Sequence, residues 1–223
     1  MNTMRKVFVF TYTAGYRHSY ISTAIEVLTR LGIESKFFDV HVSEDIGDFN
    51  ENILSGVDAL LFLTSGEIPF SERQKEMLID FVRGGGGFIG VHNATDTLYS
   101  FPEYGEMIGG YFYMHPWTQE VYIVVEDHFH PATQHLPHIF KVFDEIYIFR
   151  NFARNKTHVL LRLDTNFIDM AKAPRDIDYF PLAWCHSYGS GKVFYTALGH
   201  FTYIWRSQWF QKHLLGGIKW VLE

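Results

Sequence analysis

The chain has a single cysteine, Cys185, in 223 residues, which excludes an internal disulfide and a zinc site built from several thiolates. It has no run of lysine and arginine. Nineteen basic residues stand against twenty-five acidic ones, for a formal charge of -6, the wrong sign for holding a polyanion, so nucleic acid is not an expected partner. No apolar stretch approaches the roughly 20 residues needed to cross a bilayer, so no membrane partner is expected either. The opening MNTMRK runs straight into the apolar VFVFTY without a leader-like core or a small-residue cleavage motif, and a cytoplasmic protein is expected. Repeats, low-complexity tracts and linkers are also missing, which makes residues 1–223 one domain.

What remains is a globular composition, 47% apolar and 20% charged, in a chain long enough to bury its core without staples. Lys6–Tyr12 is an apolar run without alternation, as expected of a strand covered on both faces. Apolar residues at Ile21, Ala24, Ile25, Leu28 and Leu31 give Ser19–Leu31 a helical period, with Gly32 as its stop. Glu34–Val40 and Asp58–Leu63 read as strands. Ser71 then caps a helix that buries Met77, Leu78, Phe81 and Val82, and the glycines at 84 to 87 turn the chain into the strand Phe88–Val91. This β-α-β-β-α-β order predicts a mostly parallel sheet with helices on both faces.

From Leu98 to Trp117 the pattern fades into an irregular segment crowded with aromatics. Strands resume at Glu120–Glu126, Asp144–Phe149 and His158–Leu163, and Pro181–Tyr188 pairs with Lys192–Ala197 across Gly189-Ser190-Gly191 as a hairpin. A helix over Gln208–Leu222 closes the chain. Cys185 falls inside a hairpin strand and reads as a core thiol, not a nucleophile.

Two strands end in a histidine. GGGGFIGV breaks off at His92, followed by Asn93, Thr95 and Asp96, and KVFYTALG breaks off at His200. The loop past a strand's carboxyl end is where α/β sheets bind ligands, so both histidines are expected at one site. His18 follows the first strand and Glu67 the third, and both belong at the same edge. Imidazoles and carboxylates in one cleft serve as acid and base near neutral pH. His92 and His200 are the expected acid–base pair, with Asp96 or Glu67 orienting them; His18, Asn93, His115, Tyr113 and Trp117 are the expected substrate contacts. Glu67 and Asp96 have a plainer alternative as caps of nearby turns. No HxxxH or HExxH pair is present. A divalent metal, zinc or similar, therefore stays open as a cofactor, with His92 or His200 and one carboxylate as its ligands. His128, His130, His135 and His138 lie close in sequence, but in a segment with two prolines, and read as structural or surface residues.

The segments TAGYRHS (Thr13–Ser19), FVRGGGGFIGVHNATDT (Phe81–Thr97), IGGYFYMHPW (Ile108–Trp117), HPATQHLP (His130–Pro137), DEIYIF and PLAWCHSYGSGKVFYTALGH (Pro181–His200) together resemble the ThuA-like proteins, named for trehalose utilisation. The resemblance spans nearly the whole chain. It implies a flavodoxin-like α/β fold related to class I glutamine amidotransferases, whose nucleophilic cysteine occupies the elbow where this chain has His92. Thiol-based glutamine hydrolysis is thereby excluded. The substrate class implied is a small-molecule carbohydrate or keto-sugar, handled by isomerase- or lyase-type proton transfer. The alternative is a non-catalytic sugar-binding or assembly domain, and a homo-oligomer stays open.

Overall fold

The computed structural model describes residues 4–223; Met1–Thr3, part of the leader reading, lie outside the described residues. The chain begins with β1 (Arg5–Phe10), α1 (Ile21–Ser35), β2 (Phe38–Ser43), the single turn α2 (Glu51–Leu54), β3 (Ala59–Phe62), α3 (Glu72–Arg83) and β4 (Gly87–Val91). It continues through α4 (Pro102–Ile108), β5 (Tyr111–Val125), β6 (Ile139–Arg150), β7 (His158–Leu163), β8 (Pro181–Tyr188) and β9 (Gly191–Thr196), and ends on α5 (Thr202–Arg206) and α6 (Gln208–Leu222). The nine strands form one sheet in the order β2-β1-β3-β4-β9-β8-β7-β5-β6. No helix among the described residues is long and apolar enough to cross a membrane.

The sheet is mixed. Four neighbouring pairs, β1–β2, β1–β3, β3–β4 and β4–β9, are parallel, and the other four are antiparallel. The expectation of a mostly parallel sheet fails because the alternation of strand and helix ends with α4: from β5 to β9 no α-helix separates one strand from the next, and without a crossover helix neighbouring strands pair antiparallel. The parallel half is buried on both faces. Phe194 of β9 lies where a side chain on Gly217 of α6 would stand, 2.5 Å from the position of a Cβ there, and Val221 of α6 fills the equivalent space over Gly87. The alternating residues Phe88 and Tyr195 turn the other way, Phe88 with its ring 6.0 Å from Tyr104 of α4 and Tyr195 beside Gly90 and Ile108. Strand alternation thus seats α6 and α4 on opposite faces.

Several boundaries depart from expectation. Helix α1 continues through Gly32 to Ser35 and stops at Lys36, in the left-handed region at φ 54°. Gly32 is required by contact: a Cβ there would stand 2.6 Å from the Phe38 carbonyl oxygen, so the glycine lets helix and strand approach. The stretch expected to be irregular contains α4 and the first half of β5. Its pattern was hidden by two irregularities in the β5–β6 pairing, between Phe112 and Met114 and between Met114 and Trp117, where bulges break the period of two. Ser71 caps α3 as expected, in a reciprocal capping box with Gln74, an arrangement that stabilises a helix by about 1 kcal/mol.

β6 is an edge strand, four places from β9 in the sheet order, yet it meets the core of the parallel half. Tyr147 stacks against His92 with ring centroids 4.2 Å apart, and Phe149 stands edge-on to Tyr195 at 5.8 Å. The antiparallel half therefore curls back over the carboxyl end of the parallel half, as strand twist and bulges permit.

Candidate active site

At the carboxyl end of β4, His92 occupies the left-handed region at φ 47°, a conformation a branched-ring residue keeps only when its surroundings hold it. They do. Its carbonyl accepts hydrogen bonds from the Tyr195 hydroxyl at 2.7 Å and the Thr95 hydroxyl at 3.3 Å, and its ring Nδ1 lies 2.7 Å from the Ala197 carbonyl. A carbonyl only accepts, so Nδ1 carries the proton and Nε2 presents a bare lone pair to the interior of the site.

That lone pair faces two groups. His200 Nδ1 lies 3.0 Å from His92 Nε2, and Glu145 Oε2 lies 3.1 Å from His200 Nδ1 and 3.5 Å from His92 Nε2. His18 closes the group: one ligand atom from each of His18, His92, Glu145 and His200 falls within 4.8 Å of the others. The three imidazoles stand nearly perpendicular to one another, with centroids 5.0 to 5.1 Å apart. His115 joins from the β5 bulge, its Nδ1 3.4 Å from Glu145 Oε1. Side-chain exposure rises from 0% at His92 through 12% at Glu145 and 21% at His200 to 48% at His115, so the cluster is open on the side of His200 and His115.

His200 is placed by a buried carboxyl. Asp144 accepts the backbone N–H of Gly199 at 2.8 Å and of His200 at 3.2 Å, while Gly199, at φ 116°, makes the turn. Burial pushes Asp144 up to about 7, against the pull of these amide donors. His18 is pushed down to about 3 by burial first and the neighbouring imidazoles second; its Nδ1 is buried with no hydrogen-bond partner. Burial also lowers His92. Burial works against ionisation of Glu145, but the hydrogen bond from His200, with His92 alongside, outweighs it and holds the carboxyl well below the usual range. The site therefore sets the neutral imidazoles of His18 and His92 beside an ionised Glu145 carboxylate.

Of the residues named from sequence, His18, His92 and His200 meet, Asn93 lies beside them, buried and accepting a hydrogen bond from Tyr20, and His115 stands at the opening. Asp96 is one layer out, bound at 2.6 Å by the Tyr99 hydroxyl. Glu67 is not part of the cluster: it holds the Ser100 backbone N–H and hydroxyl, each at 2.9 Å, as a turn anchor. Trp117 is also elsewhere, buried against Phe180 with its Nε1 donating to the Asp169 carbonyl, because the bulge between Met114 and Trp117 breaks the alternation that would otherwise put it on the face of His115. Tyr113 lines a separate cavity of about 460 Å³ with Arg150, Arg154 and Tyr179, to which no cluster residue contributes.

Glu145 and Asp144 were not identified from sequence. The available signal was an adjacent acidic pair opening the otherwise apolar DEIYIF, in a strand that buries Asp144 completely. Lone buried carboxylates need a reason. Cys185 is buried, pushed up to about 12 by burial, and has no place in the site.

A family model described as ThuA, trehalose utilisation, matches residues 6–221. No curated protein matches the chain. Among solved structures, the fold is similar to that of a ThuA-like protein of Bacteroides uniformis ATCC 8492, at 20% identity over 97% of this chain and 91% of that one, with a TM-score of 0.75. It is similar to a cytoplasmic protein of Salmonella typhimurium LT2 at 12% identity, over 99% of this chain and 100% of that one, with a TM-score of 0.64. A β-galactosidase of Bacillus circulans sp. alkalophilus matches at 13% identity over 98% of this chain but 30% of its own, with a TM-score of 0.57. Identities this low speak for a shared fold alone.

Proposed function

This chain belongs to the ThuA, or trehalose utilisation, family, and from that premise we propose that it acts on a sugar or keto-sugar, moving a proton at the carbon beside a carbonyl by way of the histidine cluster. The observation that carries this reading is the convergence of His18, His92 and His200 on Glu145 within 4.8 Å. Proton transfer beside a carbonyl, in isomerisation or lyase-type cleavage, needs a base without its proton and a donor for the developing oxyanion. His92 Nε2 supplies a lone pair and His200 shares a proton with it across 3.0 Å. Glu145 takes the orienting role expected of Asp96 or Glu67.

The surroundings suit a sugar ring. Phe201 stands 4.7 Å from His200, with Phe143 and Tyr203 at 5.6 and 5.9 Å from it, and Phe143 and Tyr203 are about half exposed. Such an aromatic shelf fits the apolar face of a pyranose. The Salmonella neighbour supports a cytoplasmic setting. The order β2-β1-β3-β4-β9 supports a flavodoxin-like reading of the parallel half, since flavodoxin-like sheets run in the order 2-1-3-4-5.

The test is deuterium incorporation from D₂O into a panel of aldoses, ketoses and keto-sugars, followed by NMR. The protein is expected to exchange a proton beside the carbonyl of at least one of them, and His92→Ala to slow that exchange by about 10²- to 10⁴-fold. A second reading, a sugar-binding or assembly domain without chemistry, is favoured by the β-galactosidase match, in which this fold covers under a third of the chain. Sugar binding without exchange would select it.

A further inference from the structure

We propose that His18, His92, His200 and Glu145 form a binding site for a divalent cation of the zinc type. Zinc binds imidazole nitrogen and carboxylate oxygen at about 2.0–2.2 Å, which places neighbouring tetrahedral ligands about 3.4 Å apart. The three spacings among His92 Nε2, His200 Nδ1 and Glu145 Oε2 are 3.0, 3.1 and 3.5 Å. Hydrogen bonding satisfies this arrangement poorly. His92 Nε2 and Glu145 Oε2 are both acceptors, and the His200 Nδ1 proton is the one hydrogen available between them. A cation that displaces this proton is the partner that the three converging atoms would then have in common.

The support behind the ligands points the same way. A metal-binding histidine ordinarily gives its other ring N–H to a backbone carbonyl or a carboxylate, which fixes tautomer and ring plane. His92 does so to Ala197 O at 2.7 Å. The His200 loop is clamped through its backbone by Asp144, and Glu145 Oε1 is engaged by His115 at 3.4 Å, leaving Oε2 for the ion. His18 contributes an independent sign: a histidine only 6% exposed whose Nδ1 has no hydrogen-bond partner. Three nitrogens and one oxygen favour a borderline first-row ion over magnesium or calcium, which take oxygen. The rise in exposure toward His200 and His115 leaves the side facing them for water or substrate, as a catalytic ion requires.

An ion would change how the cluster works without changing what it works on. The sugar carbonyl would meet the ion instead of a ring proton, and His115, outside the ligand set, would carry the proton.

The test is calorimetric titration of the full-length, chelator-treated protein with zinc chloride, alongside the visible spectrum of the cobalt(II)-loaded form. One equivalent is expected to bind, with cobalt bands typical of nitrogen and oxygen ligands in four- or five-fold coordination. Glu145→Gln, which keeps shape and removes charge, should weaken zinc by at least about tenfold; Asp144→Asn, acting through the His200 loop, should cost about 10- to 100-fold. The wild-type titration does not depend on how any variant folds. Absence of stoichiometric binding overturns the proposal, as does binding that survives His92→Ala combined with His200→Ala, or that is lost in His128→Ala combined with His138→Ala. Because binding is read without substrate, its failure is distinct from failure of the sugar reading: a protein that binds zinc and exchanges no sugar proton refutes only the latter.

Discussion

The molecule contains two groups of histidines, and they behave in opposite ways. His128, His130, His135 and His138 lie within eleven residues and look like a ligand set in sequence; His18, His92 and His200 are scattered over most of the chain. In the fold the crowded group disperses. His130 Nδ1 accepts the Ala132 N–H at 3.1 Å, His135 Nε2 lies 2.8 Å from the Trp209 carbonyl, and His128 and His138 meet edge to face with centroids 4.0 Å apart. His213 joins them through the Ala132 carbonyl at 2.8 Å. His128 Nε2, His130 Nε2 and His213 Nε2 are buried without hydrogen-bond partners, as His18 Nδ1 is, but among the described residues no carboxylate gathers these rings into a set with the spacing of ligands. The scattered group converges because three loops and one curled edge strand end at the same place. Partners, more than density, separate a scaffold histidine from a working one.

If the second group is scaffold, damage there should cost stability and leave ligand handling alone. The largest effect at neutral pH is expected from Gly216→Ala. A Cβ at this position in α6 would lie 2.2 Å from the Pro131 carbonyl oxygen, backbone that cannot turn aside, so the His130–Pro137 segment would be pushed off the helix. A loss of about 1–3 kcal/mol is expected for such overpacking, a drop of several degrees in Tm, with zinc affinity per folded molecule unchanged. A normal Tm would show that the segment is not held there.

A second effect, absent at neutral pH, should grow in acid. Burial lowers His130 to about 4 and His213 to about 3, from an ordinary value of 6.5. Between those limits the unfolded chain binds more protons than the native one, so this contribution is fully present above about 6.5 and is lost as pH falls toward 4. Each ring adds a slope of at most about 1.4 kcal/mol per pH unit. Urea unfolding between pH 7 and 4.5 should show it, and His213→Gln, which can still donate to Ala132 O, should reduce it. An unchanged slope would mean that His213 is charged in the fold.

The smallest effect belongs to the pair nearest the surface. His128→Ala combined with His138→Ala should change stability by no more than about 0.5 kcal/mol and sugar-proton exchange not at all. Loss of exchange would erase the distinction between the two groups.

Much of the fold was legible in the residues. The strands over Val7–Phe10 and Leu160–Leu163, the Ser71 cap and the closing helix all follow from local pattern, because period and capping act within a few residues. The elbows at His92 and His200 were legible for the same reason: an apolar strand that ends abruptly on a histidine is a local event. Glu145 was not. It sits inside a strand, where period-two reasoning assigns a face but not the neighbour lying across it, and it reaches His92 through an edge strand of the antiparallel half. Trp117 was misplaced by the bulges beside it, which turn residues without leaving a mark in the pattern.

The sequence alone determined that there would be βα units, strand-end histidines and no thiol to act with, since propensity, periodicity and composition are short-range or additive properties. Only the tertiary structure decided that half the sheet is antiparallel, that this half curls over the parallel one, and that Glu145 rather than Glu67 is the carboxylate among the histidines. Those outcomes depend on contacts between residues up to 182 positions apart, from His18 to His200, and such contacts are fixed by the packing of whole elements and not by any residue's neighbours in the chain.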